Sequence, residues 1–169
     1  MTRIPTKLGA LIILAVIAVP SLNSAVYAGE KKRVTISAKL KRYLTTTTLS
    51  SGDITIGQEV RLDTQTSSDP NFNDIEVMVS NSGDTVAGTG THHGYVVSYL
   101  RNGDVIYDRY EGTHRIIAKD GGTWEGVAEG RRQLLGGTGK FKEAKGSYTY
   151  TAKFSPAGLS YELNGEVEY

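Results

Sequence analysis

The chain has no cysteine. That excludes thiolate nucleophiles, cysteine-ligated zinc, iron–sulfur clusters and disulfide staples. Proline is scarce, with 4 in 169 residues, and tryptophan occurs once, at Trp124. Charge of one sign is lacking too: 19 Lys and Arg stand against 18 Asp and Glu. Nucleic-acid binding needs clustered basic side chains facing phosphate. Lys39, Lys41 and Arg42 come nearest to a cluster, and a solvated strand edge accounts for them. No nucleic-acid partner is expected.

A long apolar run is also missing. The longest, Leu8 to Val19, has 12 residues and is broken by Gly9, whereas a bilayer span takes about 20. It sits in a leader pattern instead. Arg3 and Lys7 precede it, Pro20 ends it, and Val26-Tyr27-Ala28 approximates a small-residue cleavage site. The expectation is a signal peptide over 1–28, cut after Ala28. The protein would then be secreted or periplasmic, with no stable membrane insertion after cleavage. Losing Arg3 and Lys7 leaves 17 of the 19 basic groups against 18 acidic ones in 29–169. A single domain of that length can bury a core without disulfides.

What is present is two-residue alternation between turn signals, the pattern of strands. Val34 to Leu40, Ile54 to Leu62, Ile75 to Val79, Tyr95 to Leu100 and Val105 to Ile117 carry it. Thr123 to Arg132, Lys145 to Phe154 and Leu159 to Tyr169 complete the set. Asp63 to Asn73, polar and carrying Pro70, reads as a loop, and Asn81 to Asp84 as a turn. Asn102-Gly103 predicts a type I′ hairpin turn. About eight strands on short turns predict an all-β fold, an eight-stranded antiparallel barrel, because closure removes unpaired edges. A two-sheet sandwich is the alternative. A barrel of this size is filled by side chains or holds one small ligand.

The chemistry-bearing residues are few. His92, His93 and His114 are the only histidines. Adjacent strand residues point to opposite faces, so one of the pair at most could join His114 at a metal, and no metal site is expected. No Gly-x-Ser-x-Gly elbow exists. In Val105 to Ile117, Tyr107, Arg109 and Glu111 share one face, while Ile106, Asp108 and Tyr110 share the other. Either face would bring a tyrosine and a charge into the lumen. Tyr107, Arg109 and Glu111 are the candidate catalytic set. Tyr95, Tyr99, Trp124 and Glu125 are candidates for contacting a substrate.

The segment Leu135-Gly136-Gly137-Thr138-Gly139-Lys140-Phe141-Lys142-Glu143-Ala144-Lys145-Gly146 resembles the glycine signature of plant dirigent proteins. It is also similar to the corresponding segment of allene oxide cyclases. Gly122-Thr123-Trp124, Gly130 and Arg131 extend the likeness upstream, to about 30 residues in all. The resemblance implies a calycin-like barrel with a small hydrophobic or aromatic molecule in its lumen. It also implies cofactor-free isomerisation or cyclisation, or guidance of a coupling reaction, and a homotrimer. Dirigent catalysis is attributed to lumen acids and an arginine, which places Arg131 or its neighbour Arg132 among the candidates. The cysteine associated with allene oxide cyclases is absent. The competing expectation is a non-catalytic binding or structural barrel. Its lumen would be packed with Val, Leu and Phe, whereas converging Tyr, Arg and Glu around open space favour chemistry.

Overall fold

A computed structural model describes residues 29–169. The leader and its cleavage site lie outside the described residues. Eight strands follow one another: β1 (Lys31–Ser51), β2 (Ile54–Ser67), β3 (Ile75–Val86), β4 (Thr89–Tyr99), β5 (Val105–Ala118), β6 (Trp124–Gly137), β7 (Lys145–Ser155) and β8 (Gly158–Glu168). Each pairs antiparallel with its chain neighbour, and β8 pairs back onto β1, so the sheet is a closed barrel. Closure pairs β8 with β1 over Lys31–Lys39, and the longer arm of β1 pairs with β2 alone.

The alternation in the sequence is the alternation of the wall. Val34, Ile36 and Ala38 of β1 face inward between exposed neighbours, as do Ile75, Val77 and Val79 of β3. The strands run further than their apolar cores suggest. β2 continues through Asp63 and Gln65, which are polar yet buried on the inner face, so the expected loop begins only after Ser67. β3 likewise runs through Asn81–Asp84 as far as Val86. In β1, register shifts between Leu40 and Arg42 and between Tyr43 and Thr45 admit extra residues before the threonine-rich end.

Two turns differ from expectation in an instructive way. Gly103 has φ 87° but Asn102 does not enter the left-handed region. The Gly103 amide bonds Leu100, and the Leu100 amide bonds Asp104. This is a type I turn followed by a left-handed glycine, not type I′. As in Gly121-Gly122 between β5 and β6, both residues of Ala87-Gly88, which joins β3 to β4, have positive φ, at 49° and 80°. Alanine is a costly choice there, which is why turn chemistry passes over it.

One end of the barrel is sealed. Phe141, fully buried, lies between Phe72 and Tyr169, with ring centroids 5.9 and 4.7 Å away. Val34, Val77, Ile106, Leu134, Ala144 and Val167 close around them. The glycine segment makes this seal possible. Gly136 and Gly139 have φ of 118° and 54°, which lets the chain fold Phe141 back under the barrel. We expect Phe141→Ala to destabilise the fold by about 3–5 kcal/mol, the usual cost of deleting a buried Phe. Urea unfolding checks this, and a loss below about 1 kcal/mol would mean that the seal is not part of the cooperative core.

Candidate functional site

Above the seal the barrel stays open. A cavity of about 360 Å3 runs from mid-barrel to the far mouth. Its lining divides into a charged floor, a hydrogen-bonded wall and an apolar rim.

The floor holds two buried ion groups. Arg61 Nε lies 3.1 Å from Asp63 Oδ2, and its guanidinium also contacts Glu59. The Tyr161 hydroxyl donates to Asp63 at 3.0 Å. Burial works against the charge on Arg61, but Asp63, Tyr110 and Glu59 outweigh it and hold the guanidinium above its ordinary range. Burial, reinforced by Asp63, pushes the Tyr161 phenol up. The second group is Arg132 with Asp108, at 2.6 Å. Burial raises the Asp108 carboxyl, against the pull of Arg132. Asp108 Oδ1 and Arg132 Nε have no hydrogen-bond partner among the described residues. Isolated charges could not survive here; paired ones can.

The wall is aromatic. Tyr110 and Tyr150 meet edge to face, with centroids 6.2 Å apart. His92 stacks above them, followed by His114, Phe154 and Trp124. The Tyr110 hydroxyl donates to Asn81 Oδ1 at 2.8 Å. His92 Nε2 shares a hydrogen bond with the Tyr150 hydroxyl, and His114 Nε2 one with Thr85 Oγ1 at 2.7 Å. Glycine makes room for the rings. A Cβ at Gly126 would sit 2.1 Å from the Phe154 ring, and one at Gly112 would sit 2.4 Å from the Tyr150 hydroxyl. At the rim, Ile116, Trp124, Phe154 and Leu159 present apolar surface.

Burial keeps this wall uncharged at neutral pH. It lowers His92 to about 4, helped by the neighbouring His114 and by the Arg61 cation. It lowers His114 as well, against Asp84. Burial also raises Tyr110 and Tyr150. Neutral imidazoles and protonated phenols can exchange hydrogen-bond roles freely.

Strand parity puts the expected catalytic set elsewhere. Ile106, Asp108 and Tyr110 face inward, so Tyr107, Arg109 and Glu111 lie on the outer face. Arg109 there bonds Gln133 Oε1 at 2.7 Å, and Glu111 stands opposite Arg131. Water solvates these charges at no burial cost, which decides the parity. Tyr95 and Tyr99 are also on the outside, 60% and 49% exposed. They flank Val97 and Tyr107 in an exterior apolar patch. Glu125 pairs with Lys119 in solvent at 3.0 Å, and Arg131 faces outward while Arg132 faces the lumen. Of the expected contact residues only Trp124 lines the cavity.

Sequence reasoning singled out His92 only as a metal candidate and Tyr110 only as one of two possible inward tyrosines, and it missed Arg61, Glu59, Asp63, Tyr150 and Tyr161. Tyr150 and Tyr161 were legible in principle, since both fall on the apolar parity of their strands. His92 and His114 do come together, Nδ1 to Nδ1 at 3.3 Å. No group of three metal-ligating side chains exists among the described residues. Comparison with family models, curated proteins and solved structures finds no match.

The depressed His92 has a stability consequence with a definite sign. Between its ordinary 6.5 and about 4, the unfolded chain binds a proton that folded His92 refuses. Stability is therefore complete above 6.5 and falls as pH drops toward 4. His92→Phe, which keeps a ring and removes the titration, should flatten that fall. Urea midpoints across the range check it; parallel pH profiles for the two proteins would refute it.

Proposed function

We propose that this exported barrel holds a small molecule with an apolar or aromatic body and a polar head in its lumen. Its chemistry is cofactor-free isomerisation or cyclisation. The observation that carries the reading is the open cavity of about 360 Å3, apolar at the rim and charged at the floor. Small-molecule sites are typically concave, largely apolar and about 300–1,000 Å3 in volume, with a few converging polar groups. A barrel built only for structure would fill this space. Here Ala128 and Ala152, paired across β6 and β7, leave the wall bare where larger residues would close it.

The two zones select complementary parts of a ligand. Trp124, Phe154, Ile116 and Leu159 offer a surface for a ring or short chain. Arg61 and Arg132 bring guanidinium donors to the floor for a carbonyl or hydroxyl. Tyr150 and His92 lie between, where a proton would be taken or returned. Shape and proton transfer suffice for isomerisation or cyclisation. The resemblance in the glycine segment supports the same class. The competing reading, a binding module without turnover, shares the cavity and differs only in the absence of product.

Trp124, the single tryptophan, sits in the cavity wall and serves as a probe. Small aromatic ketones and phenols should quench or shift its fluorescence saturably. Ala152→Phe, which fills the lumen, should weaken that binding by about tenfold or more, or about 1.4 kcal/mol. Native mass spectrometry of the freshly purified protein should show a small co-purifying mass that Ala152→Phe loses. Equal response from both proteins, or no saturable response to any ligand, would overturn the proposal.

A further inference from the structure

The lumen wall contains a continuous run of hydrogen bonds that ligand binding alone does not require. The Tyr150 hydroxyl bonds His92 Nε2, His92 Nδ1 lies 3.3 Å from His114 Nδ1, and His114 Nε2 lies 2.7 Å from Thr85 Oγ1. Four strands, β7, β4, β5 and β3, contribute one group each. Tyr150 is buried mid-lumen, while Thr85 is half-buried beside the β3–β4 turn at the mouth. The run therefore connects the cavity interior to solvent.

Its geometry couples the two imidazoles. When two neutral rings share a bond between Nδ1 atoms, one donates and the other accepts. That fixes the remaining nitrogen of each. In one arrangement His92 carries its proton on Nδ1, so its Nε2 accepts from Tyr150. His114 then carries its proton on Nε2 and donates to Thr85. In the other arrangement every bond reverses. Thr85 donates to His114, His114 donates to His92, and His92 Nε2 donates to the Tyr150 oxygen. The Tyr150 proton is then free to point at a ligand.

Conversion of the first arrangement into the second balances. Tyr150 gives its proton to His92 and takes one from the ligand. His92 gives its Nδ1 proton to His114, and His114 gives its Nε2 proton to Thr85. Thr85 releases its own to water. One proton leaves the ligand, one enters solvent, and no side chain ends up charged. The reverse sequence delivers a proton to the ligand.

The surroundings suit a neutral device. The groups facing His92 are Tyr110 and His114 from β5, Tyr150 from β7 and Arg61 from β2. No carboxylate among them favours an imidazolium. Glu59 and Asp63 are engaged by Arg61, and Asp84, beside His114, accepts from Thr91. Arg61 opens onto the same cavity and remains cationic, which suits a negative oxygen developing on a ligand.

The geometry points to a proton relay from Tyr150 through His92 and His114 to Thr85, serving a lumen-bound ketone or related carbonyl compound with an acidic C–H. This rests on the ligand-binding reading and deepens it. Tyr150 is the group that meets the substrate; His92, His114 and Thr85 act through it as positioning and relay residues.

Two measurements on the full chain test it. Long-range proton–nitrogen NMR with isotope-labelled histidine should show His92 and His114 both neutral at neutral pH and in opposite tautomers. The same tautomer in both rings would break the run and overturn the relay. The second uses β-tetralone in heavy water, with Trp124 fluorescence reporting binding and proton NMR reporting exchange of its α C–H. The wild-type chain should accelerate exchange. Tyr150→Phe should cut the acceleration about a hundredfold, within the usual range for losing a general acid–base group. Thr85→Val should cut it about tenfold at unchanged affinity, a tenfold loss being a barrier rise of about 1.4 kcal/mol. Binding without exchange would overturn the relay and leave the ligand-binding reading standing. If β-tetralone fails to bind, the tautomer pattern decides the relay by itself.

Discussion

The rings along the lumen wall depend on small residues across the strand from them. A closed barrel forces every second side chain of eight strands into one narrow interior. Several of the bulkiest inward rings sit where a cross-strand neighbour has no side chain. Gly126 lies against Phe154, Gly112 and Gly130 beneath the Tyr150 hydroxyl, and Gly165 beneath Tyr148. The rings therefore lie along the wall and leave the axis open. The same exclusion, applied at the sealed end with larger apolar partners, produces the plug around Phe141. Cavity and core are two outcomes of one packing rule.

The charged floor follows from where the plug stops. Polar groups at this depth are tolerated only in pairs, because an unpaired buried charge is expensive. Arg61 with Asp63 and Glu59, and Arg132 with Asp108, meet that condition. Their incompleteness matters as much as their pairing: Asp108 Oδ1 and Arg132 Nε are left without partners among the described residues. Together with Gln65 Oε1, they are the buried side-chain atoms without a partner among the described residues, and such atoms are rare in a folded interior.

The barrel was largely legible in the sequence; the site was not. Strand cores announce themselves by apolar alternation, so all eight were found. Their extensions were not, because Asp63 and Gln65 obey the same parity with polar side chains and read as loop. The same substitution of polar for apolar at inward positions is what gives the lumen its charged floor. A pattern search for strands thus discards the residues of greatest functional interest. The inward face of β5 stayed open for a related reason: Asp108 and Tyr110 look no more inward than Arg109 and Glu111 until β4 and β6 are in register. Arg131 and Arg132 differ by one residue and end on opposite sides of the wall. In the glycine segment Gly136 and Gly139 adopt the positive φ that glycine takes easily, while Gly137 does not and instead lets the Val105 carbonyl approach closely.

Every group around the cavity is carried by a strand of the closed sheet, and none by a loop. The ladder of backbone hydrogen bonds holds their spacing before anything enters. Admission then requires no lid to fold and no segment to order. It requires only rotation of side chains such as Trp124 and Phe154 at the mouth, a motion of picoseconds to nanoseconds for exposed groups. For a ligand of the kind proposed, the barrel would act as a rigid cup with a swinging brim: occupancy would be set by what fits and how fast it diffuses in, and residence time by what it meets at the bottom.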